Sequence, residues 1–232
     1  MASVAEIDGL TVPTGAPAVP SPAAAYSVRL LDSAVGVPTY TGAAMRIRRV
    51  TGTGNTGNDD EADVAFDTSL TEPTISLDSA VSNFSAGGSN ATTLGQFLNV
   101  GTVGGTTYTD ADSLAPNTAA AYVDEWKDQS GNANHATQGT PSNQPQIHSG
   151  LASTDLILEN GKPAIASTIS TSLTMSSTIS VRSLFSAQKS TLGFLMGYSS
   201  GAPYHANGIF YLSAAFADSA VLNGNNYENS TL

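Results

Sequence analysis

The sequence predicts an all-β protein, a sandwich of short strands preceded by an extended N-terminal arm, and three observations carry that prediction. Charged residues make up only 12% of the 232-residue chain, against 40% hydrophobic, about half the charged share usual in globular proteins. Ser, Thr, Asn, Gly and Ala fill the gap. That mix suits hydroxyl-covered strand faces and lacks the Glu and Lys of surface helices. Apolar and polar residues then alternate over short runs, separated by Gly, Pro and Asn-Gly turn signals. A chain of this length buries one good core, so a single sandwich domain is expected after the arm.

The arm occupies residues 1–25. "TVPTGAPAVPSPAAA" (11–25) has four prolines and no charge, which favours extended polyproline-like backbone with no core of its own. Fixing each backbone residue costs about 1–2 kcal/mol, so order must come from many contacts. The expected surface is a neighbouring subunit, touched through Val12, Pro13, Pro17, Val19, Pro20 and Pro22.

The sandwich domain is expected over 26–232. "AYSVRLL" alternates Tyr26, Val28 and Leu30 against Ser27 and Arg29. "MRIRRV" sets Met45 and Ile47 opposite Arg46 and Arg48, and "ADVAF" turns Val64 and Phe66 inward. Residues at about 67–120 are weakly patterned and read as a long irregular surface excursion, with one short helix around 91–99. "NTAAAYVDEWKD" fits a helix by propensity, with Tyr122 and Trp126 four apart, or a strand ending at a turn; periodicity leaves both open. Beyond it, 155–159, 162–166, 178–187, 192–198 and 208–216 read as strands, the first two joined in a hairpin by Asn160-Gly161.

Net charge is −11, which argues against a nucleic-acid surface. Arg29, Arg46, Arg48 and Arg49 nevertheless cluster in one region; such a patch suits the acidic run "NDDEAD" (58–63) or a partner, and an outward strand face paired by nearby carboxylates is expected. The chain has no cysteine, so thiol chemistry and disulfides are excluded. "MASVAEIDGL" lacks the basic and apolar regions of a secretory signal. No apolar run approaches the ~20 residues of a membrane helix.

Candidate chemistry is sparse. Ser130, His135 and Asp128 supply triad residue types without a nucleophile elbow. His135, His148 and His205 lack paired metal-ligand spacing, and Asp59, Asp60, Glu61 and Asp63 lack the alternation and glycine of a calcium loop. Asp124, Glu125, Asp128 and Glu159 are the carboxylates from which a glycosidase pair would be drawn. Asp128 equally suits bonding the backbone of its own turn, and Trp126 suits either a sugar face or the core. No catalytic residue, metal or cofactor is assigned.

Three blocks, "AAAYSVRLLDS…YTGAAMRIRRV", "WKDQSGNANHATQ…NQPQI" and "LENGKPAI", together resemble the N-terminal half of the catalytic domain of fungal α-L-arabinofuranosidase B. They are closer still to bacteriophage proteins carrying the same module. The shared pattern runs AYSLRLL, YSGxAIRVRR, a YDQSGNGN-type turn, a QP dipeptide and an ENGKPA-like hairpin, over residues 23–50 and 122–166. The resemblance implies a concanavalin A-like, jelly-roll β-sandwich. Lys127 stands where the family has Tyr, the fungal cysteines have no counterpart, and the family's catalytic carboxylates lie later in the domain, where nothing here matches. The shared Asp128, Gln129, Ser130, Gly131 and Asn132 read as a structural turn, with Trp126 packing beneath it.

The resulting expectation is a non-enzymatic structural component of a bacteriophage virion, a capsid decoration or a tail or fibre protein. Its partners would be other virion proteins or copies of itself, held through the arm; it would be made in the host cytoplasm, with no nucleic acid and no membrane insertion. The alternative is a glycan-binding host-attachment module using Tyr198, Tyr204, His205 and Asn207. An arabinofuranosidase-like hydrolase is the third reading.

Overall fold

The computed structural model describes residues 22, 24–31, 40–51, 57–85, 90–109, 119–150, 156–168 and 170–175, and the backbone of 219–222 and 225–228. In chain order its strands are β1 (Met45–Val50), β2 (Glu61–Val64), β3 (Val81–Ser82), β4 (Gly101–Val103), β5 (Thr106–Tyr108), β6 (Ala120–Trp126), β7 (Ala136–Thr137), β8 (Gln146–His148), β9 (Leu158–Glu159), β10 (Lys162–Pro163), β11 (Thr174–Met175), β12 (Ser219–Leu222) and β13 (Asn225–Glu228). A five-residue helix, α1 (Leu94–Leu98), and a 3-10 turn at Pro141–Asn143 complete the elements. One sheet runs β11-β7-β6-β1-β2-β3, with β8 also on β6, and β4–β5, β9–β10 and β12–β13 form separate ladders. All these pairings are antiparallel. The described chain is mostly antiparallel β, as its composition predicts.

β1 is the axis of the large sheet, flanked along its length by β2 and β6. Met45 and Ile47 point into the core beside Val64, Ala62 and Val123. Against β6 the register shifts between Arg46, which faces Glu125, and Ile47, which faces Val123, so Asp124 is an extra residue on β6. With an unbroken period of two, Ala121, Val123 and Glu125 would share the inner face. The bulge turns Glu125 away and brings Trp126 to the Met45 side, where it packs against the core. Sheet pairing on both edges thus settles 120–126 as strand over the helix propensity of its alanines.

Two expectations need correction. The described part of the 67–120 segment is not a surface excursion: Ile75, Leu77, Val81, Leu94, Phe97, Leu98, Val100 and Tyr108 are all buried in the same core as β1 and β6. They escape a periodicity search because turns, a single short helix and a tight hairpin present them, rather than one long element. α1 itself falls inside the expected 91–99, capped by the Thr93 hydroxyl and ended by Asn99 in the left-handed conformation (φ 53°). "AYSVRLL" is the second correction. It makes one isolated bridge, Arg29 to Thr74, and the Gln129 side chain takes up its other edge. The Asn160-Gly161 hairpin does form between β9 and β10, with positive φ at both turn residues (51° and 71°). Expected strands at 178–187, 192–198 and 208–216 lie outside the described residues.

The arginine cluster is paired by nearby carboxylates as expected, three of the four meeting the acidic run and Arg29 meeting Glu72, but not on one outward face. Arg46 pairs with Glu61 and Asp63, and Arg48 with Asp59. Arg49 lies on the inner face, fully buried. Its Nη1 donates to the Phe97 carbonyl (2.9 Å), Nε to the Gly57 carbonyl (3.0 Å) and Nη2 to Asp60 (3.0 Å). The guanidinium also stacks 4.5 Å from the centre of the Phe97 ring. Arg49 therefore ties the 57–60 turn and the end of α1 to the central strand. Removing Asp60 takes one carboxylate from a fully buried guanidinium, which costs about 3 kcal/mol. Urea denaturation of Asp60→Ala should show a loss of that size, with the transition midpoint lowered and its slope kept.

Candidate functional site

A dense, buried polar cluster forms at the turn after β6. Once the bulge has placed Trp126 inward, Lys127 N–H closes on the Ala44 carbonyl (3.1 Å), and the chain reverses through 128–135 to enter β7. Asp128, Gln129 and Ser130 are 1%, 2% and 3% exposed, a degree of burial that polar residues tolerate only when their bonding is complete.

Asp128 organises the turn. One carboxylate oxygen accepts from the Ser130 N–H (2.8 Å) and the Ala25 N–H (2.8 Å). The other accepts from the Ser130 hydroxyl (2.7 Å) and the Asn134 N–H (3.0 Å). Burial alone would push this carboxyl up, but those donors outweigh it and hold it below the usual carboxylate range. The Asp128 N–H in turn donates to His135 Nδ1 (3.0 Å). Gly131 (φ 85°) and Ala133 (φ 56°) take left-handed backbone, free of Cβ strain at the glycine and strained at the alanine.

Gln129 behaves as a missing strand. Its Oε1 accepts from the Leu31 N–H (2.8 Å), while its Nε2 donates to the carbonyls of Ser27 (2.9 Å) and Arg29 (3.0 Å). Its own N–H donates to the Ala25 carbonyl (2.7 Å). On the opposite edge of this segment, Leu30 N–H bonds the Pro73 carbonyl and Ile75 N–H bonds the Val28 carbonyl. Asn132 Nδ2 reaches Pro22 O (2.9 Å), the first described position of the chain. Tyr26 adds a side-chain key: its hydroxyl donates to the Asn134 carbonyl, and its ring sits 5.7 Å from that of Trp126. Burial, with Asp128 nearby, pushes the Tyr26 hydroxyl up to about 12, so it remains a donor.

The turn and Pro22 of the sequence-derived site set therefore meet in one place, and together they clamp residues 22–31. Val12, Pro13, Pro17, Val19 and Pro20, and the glycan candidates Tyr198, Tyr204, His205 and Asn207, lie outside the described residues. Gln129's bonds have no signal in the sequence, because a lone glutamine has no spacing signature. Trp126 lies beneath the turn, and its Nε1 is buried without a hydrogen-bond partner.

The catalytic alternatives disperse. The Ser130 hydroxyl donates to Asp128 rather than to His135. Glu125 pairs with Lys127 (2.5 Å). Asp124 accepts from Gln144 Nε2 (2.9 Å), and burial followed by nearby Glu61 pushes its carboxyl up. Among the described residues no group of three or more His, Asp or Glu is gathered to hold a metal ion. No described helix is long and apolar enough to cross a membrane.

Fold and site together define an antiparallel β protein with an internal clamp on its own N-terminal segment. Comparison with family models, curated proteins and solved structures finds no match to the chain.

Gln129→Ala removes three bonds to the 27–31 main chain at about 0.5–1.5 kcal/mol each. Hydrogen exchange should show the Leu31 amide losing protection while amides of β1 keep theirs. The depressed Asp128 carboxyl contributes stability that is full above the ordinary carboxylate value of about 3.9 and fades as pH falls through its lower folded value. The stability gap between the natural chain and Asp128→Asn should accordingly be widest at neutral pH and shrink below about pH 4; denaturant melts across that range measure it.

Proposed function

We propose that the chain is a non-enzymatic structural component of a bacteriophage virion, a concanavalin A-like jelly-roll sandwich tied to neighbouring subunits by its N-terminal arm. The observation that carries this reading is the clamp. Residues 22–31 are fixed to the domain through Asp128, Gln129 and Asn132, so any pull on the proline-rich residues ahead of Pro22 is transmitted to β6 and β1. A tether needs such an anchor, and a catalytic pocket does not.

The surface chemistry supports the same reading. Every described Arg and Lys is paired with a carboxylate: Arg29 and Lys162 with Glu72, Arg46, Arg48 and Arg49 with the 59–63 run, and Lys127 with Glu125. Such a surface offers little to a polyanion, and it suits packing among protein subunits. The resemblance of the 23–50 and 122–166 blocks to phage proteins points the same way, and those blocks contain both halves of the clamp.

The test separates tether from anchor. Deleting residues 1–21 should leave the thermal midpoint unchanged, because the clamp keeps Pro22 and Ala25, yet abolish self-association or particle binding in light scattering. Deleting 1–31 should lower the midpoint as well, because the clamp is emptied. Undiminished assembly without residues 1–21 would refute the tether.

A further inference from the structure

We propose that the slot formed by Asp128–Asn134 and residues 73–75 takes residues 22–31 from a second copy of this chain when copies are crowded. This rests on the tether reading and names both its partner and its receiving site.

The slot recognises main chain. Pro22 O, Ala25 N and O, Ser27 O, Arg29 O and Leu31 N are all bonded by the turn, and Val28 O and Leu30 N by the 73–75 edge. None of these bonds depends on the segment belonging to the same polypeptide. Each spans a long stretch of sequence, from about 43 residues at Leu30–Pro73 to 110 at Pro22–Asn132. Between Leu31 and Tyr40 lie eight residues, a reach of up to about 30 Å at roughly 3.3–3.6 Å per residue. That length admits donation to an adjacent copy.

Partner identity comes from the side chains. Tyr26 fits between the Asn134 carbonyl and the Trp126 ring, and Arg29 pairs with Glu72. An arbitrary extended strand would satisfy the main-chain bonds and miss this key. Only a segment with Tyr and Arg three apart in this frame makes the full set, and the chain supplies it. Val28 and Leu30 also pack against the core and the Tyr26 ring against Trp126, so leaving the slot costs apolar contact as well as hydrogen bonds, and the incoming copy, having the same sequence, restores both.

The balance between self-filling and exchange is set by concentration. A link of eight residues gives its own segment an effective concentration on the order of 1 mM. In dilute solution each copy fills its own slot. Copies arrayed on a particle approach that concentration, and the two arrangements become equal in free energy apart from the link.

The experiment uses the full chain in two isotopic forms, natural and ¹⁵N-labelled, each with a benzophenone amino acid in place of Leu31. The forms are mixed unfolded, refolded, and illuminated at micromolar and at about 1 mM concentration. Crosslinks from position 31 to the 128–134 peptide are then read by mass. At micromolar concentration same-isotope pairs should dominate, which also proves that the label reaches the slot. At about 1 mM, half of the slots filled in exchange and half of those by the other isotope gives mixed pairs near a quarter of the total. Same-isotope pairs alone at both concentrations overturn exchange. If deletion of residues 1–21 still abolishes assembly in that case, the tether reading survives; if assembly ignores the deletion, the tether fails independently.

Discussion

The extra residue in β6 sets the path of the chain from Glu125 to β7. A strand that stayed in register with β1 would carry Glu125 into the core and leave Trp126 on the opposite face. With Asp124 bulged out, the indole reaches the Met45 side and Glu125 is free to meet Lys127. The chain then leaves the sheet at Lys127, whose N–H is fixed to Ala44, at the place where Asp128 and Gln129 face the 22–31 segment. One bulge near the end of one strand thus positions the clamp, the aromatic floor beneath it and the reversal into β7.

A chain with 12% charged residues must use each charge where it counts. Arg49 lies in the interior, where it bonds the Gly57 carbonyl and the Asp60 carboxylate of one turn and the Phe97 carbonyl of α1. Asp128 does the same for hydrogen-bond donors, with three backbone N–H groups and one hydroxyl on a single carboxylate. Both side chains replace secondary structure that the sequence does not form, and both are buried only because their bonding is complete. This is why the irregular stretches here carry order without long strands, and why hydroxyl and amide side chains are so abundant in them.

Legibility depends on residue chemistry. The β9–β10 hairpin is readable because Asn-Gly accepts positive φ at two successive positions and few other pairs do. β1 and β2 are readable because Met45, Ile47, Val64 and Phe66 keep a period of two. α1 is readable from Leu94, Phe97 and Leu98 on one face. Three features are not. Arg49 reads as one more surface cation, since nothing local announces Phe97 and Gly57 across the fold. Ile75, Leu77 and Tyr108 are lost among Ser, Thr and Gly because turns present them singly. "AYSVRLL" has the alternation of a strand but finds a side chain as one of its partners, and pairing is a property of the fold rather than of the segment.

Pairing by a side chain changes how the segment is held. A strand paired by another strand gains its bonds cooperatively, and slipping by two residues recovers most of them. A strand paired by one glutamine cannot slip: Oε1 and Nε2 present one acceptor and two donor hydrogens in a fixed fork, and Leu31, Ser27 and Arg29 match it in a single register. The Tyr26 hydroxyl on Asn134 and the Asn132 amide on Pro22 set the same register from the other end. Register is therefore specified by side chains at three points, while much of the bonding remains main-chain in character. Such a joint is strict in alignment, because the side chains admit one register and Val28 and Leu30 meet the core only in that register.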